Sequence, residues 1–388
     1  MSRFHSYINS AKEILSAYDG QEPFASFLKK YFSLHKKFGS RDRKQVSHLC
    51  YCYFRLGKAH VDMSVEERIV LGLFLCSTAP NELLEGLKPD WNQQVTRTLT
   101  DKLVTLGIKD SINVFPWKEE LSEGIDFDLF NVSFFIQPDL FLRTRPEKEQ
   151  IVMRKLEAAG LDFSYPAVNC IALPNAAKID ALIELNREAV IQDLSSQKTG
   201  ELLENVTGID KKPLRVWDCC AASGGKSIMA VDLLGGIDLT VSDIRKSILH
   251  NLDKRFSDAG ITKYKSLVAD LSVPGFRLAQ PGFDLIIADL PCTGSGTWSR
   301  TPEQLFYFDK QDIIRYAALQ KDILANLVPH LNTGGFILYI TCSVFKKENE
   351  ENIQELQSNF PLSLKKIGII AGYDKKADSM FAALLQKL

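Results

Sequence analysis

Two cysteines and a carboxylate stand where short apolar runs give way to turns. Asp289-Leu290-Pro291-Cys292 follows an apolar run and precedes Thr-Gly-Ser-Gly, and Thr341-Cys342-Ser343 ends the run GFILYIT. For a single cysteine, inert burial is the commoner case. Two thiols beside an acid suit a specific reaction, methylation of C5 of a pyrimidine, a carbon that is a poor nucleophile. A thiolate adding to C6 turns the ring into an enamine able to attack a methyl sulfonium. A carboxylic acid that protonates or hydrogen-bonds N3 favours that addition. A base must then remove the C5 proton so that elimination frees the thiol. The rival reaction, on an exocyclic amine, goes with an Asn/Asp-Pro-Pro-aromatic turn, and here the turn is DLPC.

A methyl donor needs its own cradle, and CCAASGGKS, residues 219–227, offers one after the run LRVWD. It satisfies neither common nucleotide motif. A phosphate loop of the Walker type needs glycine where Cys220 stands, and a dinucleotide fingerprint needs more than Gly224-Gly225. What remains is a turn of small residues that lets backbone approach a ligand, followed by the unpaired N–H groups of a helix start. Asp243 ends the next apolar run, 19 residues beyond Gly224, where acids of nucleotide-binding α/β folds bind ribose hydroxyls. Asp270 ends the third run, placed to accept from an adenine amino group. An adenosyl ligand without a pyrophosphate cradle indicates S-adenosylmethionine. A helix-capping role accounts for any one of these aspartates, and less well for three at successive strand ends.

The elements that must position these residues are legible in the rhythm of the chain. From about residue 211, LRVWD, DLTVSD, KSLVAD, FDLIIAD and GFILYIT alternate with helical stretches. Repeated strand–helix units predict a parallel, doubly wound sheet with ligands at the carboxyl ends of its strands. Residues 1–110 read as helical, with apolar residues three and four apart in FASFLKKYF, VSHLCYCYF and VEERIVLGLFL. Ser40 is placed to cap one of these helices. Between them, FLRT, EKEQIVMRKLEAAG, NCIALP and EAVIQ form a small α+β unit.

The chain has 388 residues, 45% hydrophobic and 24% charged, as for a soluble globular protein of two or three domains. No apolar run suits a membrane span, and the amino terminus lacks a secretory stretch, so a cytoplasmic protein is expected. The eight cysteines have no metal-ligand spacing, which predicts neither a metal nor a disulfide framework. Residues 1–60 hold eleven Lys/Arg against four Asp/Glu, many interleaved with Phe and Tyr. Such a surface suits nucleic acid, and a solvated helix face explains it equally well.

CAASGGKS, DLPCTGSG and TGGFILYITCSVFKKENEENI resemble the three signature motifs of Nop/Sun-type (RsmB-like) RNA cytosine-C5 methyltransferases. VIQDLSSQ is similar to the stretch before that family's catalytic domain, and DSMFAALLQKL to its closing strand. FLKKYF and GSRDRKQVSHLCY resemble the family's NusB-like helical domain. The resemblance implies an all-α NusB-like RNA-binding domain (1–125), a small α+β linker domain (126–205) and a Rossmann-like methyltransferase domain (206–388). It implies that Cys342 is the nucleophile, that Cys292 serves product release and that Asp289 contacts the cytosine near the donor. Cys220, Ala221, Ala222, Ser223, Gly224, Gly225 and Lys226, with Asp243, Asp270 and Asp289, would bind S-adenosylmethionine. The residues alone do not decide between the thiols, since DNA cytosine-C5 methyltransferases use the cysteine of the Pro-Cys pair. The implied partner of this expected monomer is RNA, foremost 16S rRNA. The alternatives are tRNA as substrate and a non-catalytic RNA-binding assembly factor, against which both cysteines speak. Two positions depart from the family. Ser223 stands where it has proline, removing a fixed φ, and DSMFAALL lacks its usual DGFF.

Overall fold

The computed structural model describes residues 3–108, 112–206, 213–279 and 282–388. Residues 109–111, within the expected first domain, and residues 207–212 and 280–281, within the expected third, lie outside the described residues, as does the expected start of the strand–helix alternation at 211. Packing groups the chain into two units. The first comprises Met1–Glu119, Asp126–Gln137 and Thr297–Asp309, and the second Glu120–Ile125, Pro138–Gly296 and Lys310–Leu388. The segment 297–309, placed by sequence inside the third domain, thus packs with the helical residues. The 126–205 stretch divides after Gln137.

The first unit is built on helices α1 (Arg3–Ala17), α2 (Phe24–Leu34), α3 (Ser40–Arg55) and α4 (Val65–Cys76). Ser40 does not cap α3: Gly39 takes the N-cap, and Asp42 accepts its backbone N–H at 3.1 Å. The segment 297–309 is held by aromatic contacts of Phe306 and Tyr307 with Phe54, and Lys58 donates to the Phe306 carbonyl at 2.7 Å.

The second unit holds two sheets. The smaller is antiparallel, in the order β2 (Ser164–Ala167), β3 (Cys170–Leu173), β1 (Leu140–Thr144), β4 (Ala189–Ile191), with helix α5 at Glu149–Ala158. The larger has seven strands: β5 (Leu214–Asp218), β6 (Ile237–Asp243), β7 (Lys265–Val268), β8 (Phe283–Asp289), β9 (Leu331–Thr341), β10 (Leu362–Ile370) and β11 (Met380–Lys387). Their order is β10-β11-β9-β8-β5-β6-β7. β7, β6, β5, β8 and β9 are mutually parallel, as expected. The sheet is nevertheless mixed, because β11 runs antiparallel to both β9 and β10. A short connection from β10 allows no crossover, so β11 must return as a hairpin.

Alternation along the central strands explains the layers. Trp217, Ile286 and Ile337 face α8 (Gln311–Leu327), whose Ile323, Leu324 and Leu327 cover them. Val216, Leu285, Ile287 and Leu338 face α6 (Gly225–Leu234) and α7 (Lys246–Asp258) through Ile228, Leu252 and Phe256. Strands buried on both faces read as continuous apolar runs. The small sheet joins this body by charge: Arg143 and Arg145, flanking the end of β1, both pair with buried Asp232 of α6, at 2.6 and 2.8 Å.

At the β5–α6 turn, Asp218 is fully buried and accepts the Ser227 hydroxyl at 2.5 Å. Burial, reinforced by the charges of Asp289 and Asp243, pushes its carboxyl up to about 7. A native value above that of the unfolded chain means that folding takes up a proton between the two. Stability from this group is therefore full at low pH and is lost as pH rises toward 7. Asp218→Asn, a neutral isostere, should gain in melting temperature relative to the parent chain between pH 5 and 8. Parallel melting curves across that range would refute the buried neutral acid.

Candidate active site

The carboxyl ends of the five parallel strands line one cavity of about 500 Å³. β5 contributes Cys219, Cys220 and Ala222, β6 Asp243, Ile244 and Arg245, and the turn after β7 Ala269 through Ser272. β8 delivers Asp289 through Cys292, β9 delivers Cys342, and α8 closes one side with Leu319 and Ile323. The volume suits a small-molecule ligand.

The turn after β5 is anchored before it reaches the cavity. Ser242 accepts the Trp217 indole N–H at 2.9 Å and donates to the Cys219 carbonyl at 2.7 Å, while its own carbonyl accepts the Ala221 N–H. Ala222 and Gly224 then have φ of +45° and +85°. A Cβ on Gly224 would meet Phe256 at 2.6 Å, so glycine serves both the backbone angle and the approach of α7. At Gly225, by contrast, a Cβ would meet open space.

Of the residues expected to bind the cofactor, Cys220, Ala222, Asp243, Asp270 and Asp289 line the cavity. Ala221, Ser223 and Gly224 belong to the turn without lining the cavity, and Gly225 and Lys226 open α6. Asp243 is buried and already engaged. Its Oδ2 accepts the Ala222 N–H at 3.1 Å, and Arg245 pairs with Oδ1 at 3.0 Å. Asp270 is exposed, and Oδ1 accepts the Ser272 N–H and hydroxyl at 3.0 and 2.6 Å, which lowers its carboxyl below the usual range. Lys226 reaches from the first turn of α6 to pair with Asp289 at 3.0 Å.

The two thiols meet. Cys292 Sγ lies 3.1 Å from Cys342 Sγ. Contact with Cys342, then burial and the charge of Glu348, pushes the Cys292 thiol well above its usual value. Behind them sits Glu348, fully buried. It accepts the Thr293 N–H at 2.9 Å, the Thr293 hydroxyl at 2.6 Å, the Ser343 hydroxyl at 2.6 Å and the Gln320 amide at 3.2 Å. Burial raises its carboxyl above the usual range, and these hydrogen bonds oppose the rise. Gly296 donates to the Cys342 carbonyl at 2.8 Å, and a Cβ there would strike the Ser379 carbonyl. The cavity thus brings together two thiols and the carboxylate of Asp289, with Lys226 paired to that carboxylate and the buried acid Glu348 bonded to the turns that carry the thiols.

Sequence reasoning missed Glu348, Arg245 and the acidity change at Asp218. A strand-final aspartate before a small-residue turn was the available signal for Asp218. Glu348 lay in the quoted motif, but KKENEEN reads as a solvated helix start. Arg245 carried no signal of its own.

Comparison with known proteins agrees with the geometry. The family model described as "16S rRNA methyltransferase RsmB/F" matches residues 210–381. Ribosomal RNA small subunit methyltransferase B of Enterobacter sp. (strain 638) is 30% identical over 201 residues, 51% of this chain and 46% of that protein. The human 28S rRNA (cytosine(4447)-C(5))-methyltransferase is 31% identical over 145 residues, 35% of this chain and 17% of that one. The chain spans about half the length of the curated bacterial relatives it matches. In fold, the crystal structure of PH0851 covers 99% of this chain and 98% of its own, with a TM-score of 0.68 at 20% identity. Motifs, cavity and sequence match converge on residues 210–381, the stretch that is similar to the RsmB/F family of methyltransferases.

Proposed function

We propose that this chain transfers a methyl group from S-adenosylmethionine to C5 of a cytosine in RNA, with 16S rRNA, named in the matching family, as substrate. The observation that carries the reading is the Cys292–Cys342 pair, 3.1 Å apart on the cavity that Asp243 also lines. The cavity's donor set fits the cofactor. A buried carboxylate at the end of β6 can accept ribose hydroxyls by sharing its oxygens with Arg245, and Ile244, Ala269 and Leu271 offer apolar surface to a purine ring. When bound, S-adenosylmethionine supplies an electrophilic methyl group.

The chain's own residues account for the rest. Cys342, as thiolate, forms a bond to C6 of cytosine, and the electron pair of the C5–C6 double bond moves toward N3. The Lys226–Asp289 pair supports the proton or hydrogen bond that N3 needs. After transfer a base takes the C5 proton, and the S–C6 bond breaks with its electrons returning to Cys342. Cys292 is favoured as a thiol by its surroundings, so it can hydrogen-bond to the departing sulfur and assist release. A free cysteine with pKa near about 8.5 is mostly protonated at neutral pH, so a neighbour that stays protonated helps the other carry the charge.

RNA positioning is assigned to the helical unit, which we read as NusB-like. Its exposed Lys36, Lys37 and Lys44 suit phosphate contacts, with Phe32 and Phe38 packed beneath Arg43 and Lys37.

Bisulfite sequencing of 16S rRNA from a deletion strain should lose one 5-methylcytosine, restored by the parent gene and not by Cys342→Ala. An unchanged 16S rRNA pattern would overturn that substrate and leave tRNA or the assembly-factor class. In vitro, Cys342→Ala should form no covalent complex. Cys292→Ala should stay attached to methylated RNA as a denaturant-stable band on a gel. The opposite pattern would exchange the thiols' roles.

Asp243→Ala should weaken S-adenosylmethionine binding by about 1–3 kcal/mol, because the ribose hydroxyls lose their acceptor. Calorimetry showing equal affinity would remove Asp243 from the cofactor site.

A further inference from the structure

The departure at Ser223 has a structural counterpart on α7. Arg255, half-buried, donates through Nη1 to the Ser223 carbonyl at 3.1 Å and to the Ser223 hydroxyl at 2.7 Å. Its Nε donates to Asn186 Oδ1 at 2.9 Å. Asn186 is itself fixed, because its carbonyl accepts Arg145 at 2.7 Å, and Arg145 is paired with buried Asp232. The guanidinium is therefore aimed before it grips the turn.

The grip matters because of what lies on either side of Ser223. Ala222, before it, has φ of +45°, and Gly224, after it, +85°. A side-chain-bearing residue in the left-handed region persists where its surroundings over-determine it. Asp243 holds Ala222 from one side through the backbone N–H. Ser223 holds the other side through Arg255. A proline at 223 would restrict the same stretch covalently, by fixing its own φ. Serine leaves φ free and adds a hydroxyl, and the hydroxyl is one of the two atoms that Arg255 grips.

We propose that Arg255 is a positioning residue for the cofactor turn, restraining Ser223 by hydrogen bonds where the family motif uses a proline ring. The proposal rests on the assignment of residues 219–226 to the cofactor. Arg255 and Ser223 do not line the cavity. Their effect reaches a ligand through Ala222 and the start of α6.

The test is calorimetric titration of the full chain with S-adenosylhomocysteine. Arg255→Met should bind about tenfold more weakly, and Ser223→Ala, which removes one of the two acceptors, about threefold. Adding Ser223→Pro to Arg255→Met should restore affinity to near the parent value while the melting temperature stays at that of Arg255→Met. That separation marks positioning, since a general loss of fold would not recover affinity alone. Parent-like binding by Arg255→Met and Ser223→Ala overturns the proposal and leaves the cofactor assignment standing. So does a loss in Arg255→Met that proline fails to repair while Ser223→Ala binds normally. A parent chain that binds no S-adenosylhomocysteine overturns the cofactor assignment and this proposal with it. Should Arg255→Met not fold, Ser223→Ala decides by the same criterion.

Discussion

The carboxylate of Glu348 is the point on which the thiol geometry depends. β8 and β9 are parallel neighbours, so the turns that follow them emerge side by side. Neighbouring strands alone leave each turn free to splay. Glu348 lies beyond the second turn and accepts donors from both: Thr293 beside Cys292, Ser343 beside Cys342, and Gln320 from α8. Gln320 also donates to the Pro291 carbonyl at 2.9 Å, fixing the first turn from behind. Burying a carboxylate is costly unless its oxygens are satisfied, and here the donors that satisfy them also set the spacing. Removing the acid would leave hydroxyls and an amide facing one another without a common acceptor.

The same acid also acts on Cys292 electrostatically. Its charge adds to contact and burial in raising Cys292, the cysteine on the turn whose backbone it holds. A thiol beside a forming thiolate is a hydrogen-bond donor to it, whereas two competing thiolates would repel.

How much of this was visible in the sequence varies with the range of the interaction. LRVWD and FDLIIAD coincide with β5 and β8 because strands buried on both faces write continuous apolar runs. β2 and β10 were not recognised. SYPA contains a proline and is largely exposed at a sheet edge, and LSLKKIGII carries two lysines on exposed positions. Edge strands lack the two-sided burial that makes a run apolar. The cavity residues expected from strand ends were found there, since topology alone places them. Glu348 and Arg255 escaped because their partners lie far along the chain or on another element, and Arg245, paired with Asp243 only two residues away, escaped because charge in a helix or at its start ordinarily means solvent.

Ser223 shows why a motif departure should be read with the fold around it. From the sequence, loss of the proline means a looser turn and a weaker cofactor site. In the structure the turn carries two left-handed residues and close packing of Phe256 and Leu252 on Gly224, so looseness there would spread into both the cavity and α7. The restraint instead runs from Asp232 through Arg145 and Asn186 to Arg255 and Ser223. Asp232 sits on the helix that the turn begins, so the chain of contacts closes on itself. The small sheet, which contributes no residue to the cavity lining, thereby takes part in holding the turn that does.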